Sequence, residues 1–264
     1  MKPELSIILP SIRTERLEPL YDSLVKSTDC NFELVICGPY ALPQSLQERT
    51  NVKYAKDYGS PVRASNIAAS LCEGSVYTWV ADDCLFFEGA LDKCLKEHRS
   101  MGEDKKNVLV AKYYEGQVGS HERETLQPDS YFKVGATPAS SPLVPADWWL
   151  FNIAFVHQEL FNFLGGWDCE YEGTWASHAD MAIRAQQFGA TVKMAQIPLF
   201  TCDHMPGGTG DHMPIFECQT QHDEPLLQSR YRNPNWTSRP ARIQLDNWKK
   251  SQAVWSRRFK EEKV

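Results

Sequence analysis

Asp82 and Asp83 stand side by side directly after the apolar run Val76-Tyr-Thr-Trp-Val-Ala81. Two carboxylates at the end of a hydrophobic strand repel one another unless a cation or ligand compensates them. Oxygen-only ligation of this kind suits Mg²⁺ or Mn²⁺ carried with a diphosphate, and the plainer alternative is a solvated strand-end turn. Arg63 offers a planar, bidentate donor for diphosphate charge, or else an ordinary surface cation. Residues 202–222 are dense in Gly, His, Asp and Pro, and Asp-His-Met-Pro occurs twice there, around His204 and His212.

In open α/β folds ligands bind beyond the carboxyl ends of the strands, so the elements that bring strand ends together decide what such residues can do. Leu5-Ser-Ile-Ile-Leu9 is an apolar strand closed by Pro10, and residues 13–26 carry Leu17, Leu20, Tyr21, Leu24 and Val25 at helical spacing. Phe32-Glu-Leu-Val-Ile-Cys37, stopped by Gly38-Pro39, and Val52-Lys-Tyr-Ala55 are further strands; residues 65–71 and 91–99 predict helices. Strands alternating with helices at this spacing predict a parallel, doubly wound sheet. It would gather Pro10-Ser11, Gly38-Pro39 and Asp82-Asp83 at one edge. From Tyr114 to about Pro145 the composition predicts a long loop or lid. Order resumes at Trp148-Trp-Leu-Phe-Asn-Ile-Ala-Phe-Val156, with a helix over 180–189 closed by Gly189 and a strand at Thr191-Val-Lys-Met-Ala195.

Ser6-Ile-Ile-Leu-Pro-Ser11, Glu33-Leu-Val-Ile-Cys37, Gly59-Ser-Pro-Val-Arg63-Ala-Ser-Asn66 and Glu73-Gly-Ser-Val-Tyr-Thr-Trp-Val-Ala-Asp-Asp83 together resemble the nucleotide-binding half of family 2 and related GT-A glycosyltransferases. Leu164-Gly-Gly-Trp-Asp168 followed by His178-Ala-Asp180-Met-Ala-Ile-Arg184 resembles the acceptor-side block of the same family. The resemblance spans about residues 4–205. It implies a GT-A-like, Rossmann-like mixed sheet in a single domain (1–229), with a nucleotide-sugar and metal half at about 1–113 and an acceptor half at about 146–229. It also implies a nucleotide-sugar donor, a UDP-sugar first, and a bound Mn²⁺ or Mg²⁺. Asp83 would coordinate that metal with His204 as a further ligand, while Pro10, Ser11, Arg13, Gly38, Arg63, Asn66 and Asp82 would bind the donor. Ala81 departs from the family's frequent three-Asp form and leaves the metal-binding carboxylate in place. Registering on Arg184 puts His178 at the family's base position and Asp180 two residues later. Either could take the acceptor proton in an inverting transfer, with the helix dipole favouring a neutral imidazole and helix capping the alternative for Asp180. Trp148, Trp149, Trp167 and Asp168 would meet the acceptor, with core packing the alternative for each tryptophan.

The 264 residues, 42% hydrophobic and 23% charged, have no apolar run long enough to span a bilayer and no signal-peptide pattern. Eight cysteines without a C-x-x-C pair predict reduced, buried thiols in a cytoplasmic protein. Signatures of P-loop ATPases, dinucleotide-binding dehydrogenases and α/β-hydrolases are missing. Residues 1–229 hold 18 basic and 31 acidic side chains, whereas 230–264 hold 10 and 3 together with five aromatics. That basic tail, expected to be helical, could grip a polyanion, lie on an anionic membrane or dock on the acidic body. The first choice admits a nucleic-acid acceptor such as a hydroxymethylated base in DNA beside the glycan alternative. A catalytically silent nucleotide-sugar or polyanion-binding module is the rival reading, with Ala81 and His178 as marks of decay.

Overall fold

The computed structural model describes residues 2–117, 127–128, 131–133, 148–204, 213–231 and 241–251, and for 115–117, 127–128, 131–133 and 203–204 their backbone. The first half runs β1 (Leu5–Pro10), α1 (Leu17–Ser27), β2 (Phe32–Gly38), α2 (Gln44–Gln47), β3 (Val52–Lys56), α3 (Pro61–Ser70), β4 (Val76–Trp79), β5 (Cys84–Phe86) and α4 (Ala90–Ser100). The second runs β6 (Asn107–Gln117), β7 (Gln127–Pro128), β8 (Tyr131–Lys133), β9 (Trp149–Phe151), β10 (Ala154–His157), α5 (Gln158–Leu164), α6 (Thr174–Gln187), β11 (Thr191–His204), α7 (Met213–Cys218) and α8 (Glu224–Tyr231). A π-helical turn, Gln219–Asp223, joins α7 to α8.

The main sheet has the order β3-β2-β1-β4-β10-β6-β11-β5, with β7 paired to β6; β8 and β9 form a separate ribbon. Strands β3, β2, β1 and β4 are parallel, β10 enters antiparallel between β4 and β6, and β5 runs antiparallel to β11. The sheet is thus mixed rather than wholly parallel. β1 is buried along Leu5 to Leu9, as a strand covered on both faces must be.

One buried polar knot fixes the entry into β4. The Glu33 carboxylate accepts hydrogen bonds from Ser6 Oγ (2.6 Å) and from the backbone N–H groups of Glu73 (2.5 Å) and Gly74 (3.0 Å), and pairs with Lys53 at 2.8 Å. Burial raises the pKa of this carboxyl, but the bonds from Lys53, Ser6 and Glu73 outweigh it, so the net shift is downward.

Several elements differ from expectation for local reasons. α3 starts at Pro61, four residues before the apolar spacing begins, because Ser60 caps it through Arg63 N and Pro61 occupies the first turn. α6 starts at Thr174, six residues before the expected Asp180, and its middle turns are buried. Gly189, at φ +90°, follows its last turn as expected. β6 was not anticipated and extends to Gln117, into the stretch expected to be a loop; residues 118–126, 129–130 and 134–147 of that stretch lie outside the described residues. In the tail, residues 241–251 hold a short 3₁₀ turn (Asn247–Lys250) and no α-helix. The eight cysteines are free thiols, and seven are buried. No helix among the described residues is long and apolar enough to cross a membrane.

Candidate active site

A cavity of about 510 Å³ opens where β1, β2 and β4 end, with Pro10, Ser11, Arg13, Gly38, Asp82 and Asp83 in one wall. The β1 and β2 ends meet closely: Ser11 N donates to Cys37 O at 2.9 Å, and a Cβ on Gly38 would lie 1.8 Å from Ser11 O. Only glycine fits there. Asp82 is enclosed by the turn after β1. Its Oδ2 accepts from Ser11 Oγ (3.1 Å), Ile12 N (2.9 Å) and Arg13 N (2.9 Å), and its Oδ1 pairs with Arg13 Nη1 at 2.5 Å. The same guanidinium nitrogen lies 3.5 Å from Asp83 Oδ2. Asp82 therefore shapes the loop that borders the cavity, while Asp83 adds a second, largely buried carboxylate to the wall.

Asp83 was the expected metal ligand, and its surroundings can be tested for that use. A carboxylate oxygen of Asp83 and the sulfurs of Cys84 and Cys202 lie within 4.8 Å of one another, a cluster with room for a cation. A carboxylate at the cavity wall fits the oxygen preference of Mn²⁺ or Mg²⁺, and neighbouring thiols tolerate Mn²⁺ better than Mg²⁺. His204 lies two residues beyond Cys202 at the end of β11; His212 falls outside the described residues.

Across the cavity, His178 lines the opposing wall from α6, with Trp79, Asn152, Thr174 and Trp175. Its ring sits between Trp79 and Trp167, each 5.7 Å away by ring centroids. Asn152 Nδ2 donates to the Tyr113 hydroxyl at 3.0 Å, which turns Asn152 Oδ1 toward His178 Nδ1 at 3.1 Å. Nδ1 then carries the hydrogen, leaving Nε2 as the ring's acceptor. Burial lowers the His178 pKa to about 3, so the imidazole is neutral across the physiological range. Desolvation, rather than the helix dipole, is the cause. Asp180 is buried away from the cavity: Oδ2 accepts from Arg184 Nε at 2.7 Å and Oδ1 from the Tyr231 hydroxyl at 2.6 Å.

The other expected residues sit behind the walls. Arg63 does not line the cavity; it pairs with Asp57 (3.0 Å) and stacks on Trp248 (5.5 Å). Asn66 clamps the backbone of Trp167, accepting from its N–H at 3.1 Å and donating to its carbonyl at 2.6 Å. Trp167 itself is fully buried, edge-on to Trp79 and Phe161. Trp148 and Trp149 lie half-buried at β9, and Asp168 pairs with Arg230 at 3.1 Å, so none of these lines the cavity. Conversely, Tyr113, Asn152, Trp175 and Phe216 border the cavity without a sequence signal. They belong to no motif, and only the crossing of β6, β10, α6 and α7 brings them together.

No family model matches the chain, and no curated protein matches it by sequence. Solved structures do. Residues covering 76% of the chain superimpose on a structure of Staphylococcus aureus TarS 1-349 with a TM-score of 0.53 at 19% identity, and the chain spans 60% of that protein's length. TarS 1-349 in complex with UDP gives a TM-score of 0.54 at 16% identity over 86% of this chain and 69% of that one. A further TarS structure gives 0.52 at 16%, with 42% of its chain covered. These likenesses show the fold: a mixed α/β fold of the GT-A-like, Rossmann type, shared with TarS. Within that GT-A-like fold, the cavity at the carboxyl ends of β1, β2 and β4 occupies the position where open α/β sheets bind ligands.

Proposed function

We propose that the protein is a metal-assisted glycosyltransferase that moves a sugar from a nucleotide-sugar, a UDP-sugar first, to an acceptor hydroxyl. The observation that carries this reading is the Asp82–Asp83 pair on the cavity wall, one carboxylate enclosed by the β1 loop and the other lining the cavity beside Arg13. The UDP complex of TarS, a protein of the same fold, supports the choice of nucleotide. Asp83 and His204 would hold Mn²⁺ or Mg²⁺, which would supply positive charge for the departing diphosphate. Pro10, Ser11 and Gly38 border the donor, and Arg13 adds a cation beside it. His178 is the base: its neutral imidazole, oriented by Asn152, accepts the proton of the attacking hydroxyl, and attack from that opposite wall inverts the anomeric centre. Asp180 orders the base helix through Arg184. The aromatic wall of Trp79, Trp175 and Phe216 favours a glycan acceptor, whose apolar sugar faces stack on such rings.

A thermal-shift screen of UDP-, GDP-, CMP- and dTDP-sugars with and without Mn²⁺ tests this, because a ligand of the native state raises the melting temperature by mass action. One nucleotide should stabilise the wild type only with metal and leave Asp83→Ala unmoved. Stabilisation by none of them would overturn the reading. A product anomer retained by NMR would overturn inversion alone.

A further inference from the structure

A second group of ligand-type side chains lies outside the wall that holds Asp82 and Asp83. Cys218, His222 and Asp223 bring a sulfur, an imidazole nitrogen and a carboxylate oxygen within 4.8 Å of one another. Cys218 and Asp223 are fully buried, and the His222 side chain is 31% exposed, which gives the group one solvent-facing side. The spacing is produced by local geometry. Residues four apart share a helix face, and the π-helical turn Gln219–Asp223 adds a residue to the turn, so the fifth residue after Cys218 joins the fourth on that face. In an uninterrupted α-helix, at about 100° per residue, Asp223 would lie about 140° around the axis from Cys218.

The carboxylate is oriented from outside its own helix. Glu172 N donates to Asp223 Oδ1 at 3.2 Å and Gly173 N to Oδ2 at 2.6 Å, while His222 Nδ1 lies 2.8 Å from Oδ1. Burial raises the Cys218 pKa, and the negative charges of Asp223 and then of the buried Glu172 add to it. A thiol, an imidazole and two carboxyls in a half-buried corner form an electronegative pocket that a divalent cation would relieve.

We infer that Cys218, His222 and Asp223 form a zinc site, separate from the metal proposed beside Asp83. The mixed sulfur, nitrogen and oxygen donor set is that of Zn²⁺ rather than of Mg²⁺ or Ca²⁺. Tetrahedral Zn²⁺ with bonds of about 2.0–2.3 Å separates its ligand atoms by about 3.3–3.8 Å, so atoms up to 4.8 Å apart close by about 1.0–1.5 Å at most, while His222 Nδ1 and Asp223 Oδ1, 2.8 Å apart, open by about half an ångström. Water fills the fourth position from the exposed side of His222. Binding displaces the Cys218 thiol proton to solvent. Gly173, the N-cap of α6, donates to Asp223, so the ion would stiffen the π turn whose carboxylate holds the start of the helix that carries His178, and Gln219 of the same turn lines the cavity.

The full chain, stripped with chelator and titrated with Co²⁺, tests the site. The wild type should show, on Co²⁺ binding, the intense sulfur-to-cobalt charge-transfer absorption of a thiolate complex, and Zn²⁺ should abolish it. Cys218→Ser should lose that absorption, and His222→Gln, a change at a partly exposed position, should lose it in a chain whose circular dichroism is unchanged. Cys84→Ser/Cys202→Ser, which removes the other close thiol pair, should retain it. Absence of the absorption in the wild type, its survival in His222→Gln, or its loss in the Cys84/Cys202 variant would overturn the proposal. The readout does not depend on transferase activity, so its failure is distinct from failure of the transferase reading.

Discussion

His178 is held neutral by its surroundings, and that has a measurable consequence for stability. Burial lowers its pKa from 6.5 in the unfolded chain to about 3 in the folded one. Between those values the unfolded chain binds more protons, so stability that is complete above pH 6.5 is lost as the pH falls toward 3. On this account His178 alone takes about 2 kcal/mol from the folded state between pH 7.5 and pH 5. Urea unfolding at those two pH values should show a smaller loss in His178→Gln than in the wild type by about that amount; His98, whose pKa burial also lowers, contributes equally to both. Equal losses would mean the ring is solvated in solution. The type and position of this residue were readable from the spacing to Arg184, but its environment was not, because Trp79, Trp167 and Asn152 come from three other stretches of chain. Asp180 shows the opposite case. Its spacing of four to Arg184 was visible, and the buried ion pair with that residue follows from helical periodicity, yet nothing local announced the Tyr231 hydroxyl from 51 residues on.

Helix α3 and the Gly165-Gly166-Trp167 turn are coupled through one side chain. Asn66 satisfies both the N–H and the carbonyl of Trp167, and Trp167 flanks His178, so α3 positions His178 across the sheet. Asn66→Ala leaves the buried Trp167 N–H without its acceptor, whereas the carbonyl retains Asn247 Nδ2 at 3.1 Å. An unsatisfied buried donor costs about 1–3 kcal/mol, and denaturant titration should find a loss in that range with an unchanged m-value. A loss below about 0.5 kcal/mol would show that the turn is held by the rest of its contacts. Elements whose signals are local were the legible ones: β1, β2, β3 and β4 announced themselves by apolar runs, and Gly189 by its place after α6. α3 was read short because its first turn is set by the Ser60 cap and Pro61, and α6 because Thr174 to Ala179 mixes small and polar residues instead of an apolar stripe. The antiparallel insertion of β10 between β4 and β6 was not legible, since strand order is set by sheet packing and not by the strand's own residues.

Across the whole chain, the contrast between an acidic body and a basic tail was plain in composition, and the structure gives the described part of that tail a partner within the molecule. Arg230 bonds to Asp168 and Glu170 and stacks on Tyr171 at 4.7 Å. Further on, Ile243 N donates to Leu164 O at 3.1 Å, Asn247 Oδ1 accepts from Cys169 N at 2.8 Å, and the Trp248 ring covers Arg63. The approach is close enough that a Cβ on Gly165, at φ +82°, would lie 2.2 Å from Ile243 O. Residues 241–251 therefore act as a strap over the turn between α5 and α6. Several net hydrogen bonds of about 0.5–1.5 kcal/mol each, with the covered aromatic, make this strap worth a few kcal/mol. In a chain of this size that corresponds to roughly 5–15 °C in melting temperature. Deleting residues 241–264 should lower the melting temperature by an amount in that range, measured by calorimetry at equal ionic strength. The same deletion, tested by DNA binding across a salt series, separates docking from polyanion recognition. Binding whose affinity falls steeply with salt in the full chain and vanishes in the truncated one, with no change in melting temperature, would assign the tail to a nucleic-acid acceptor instead.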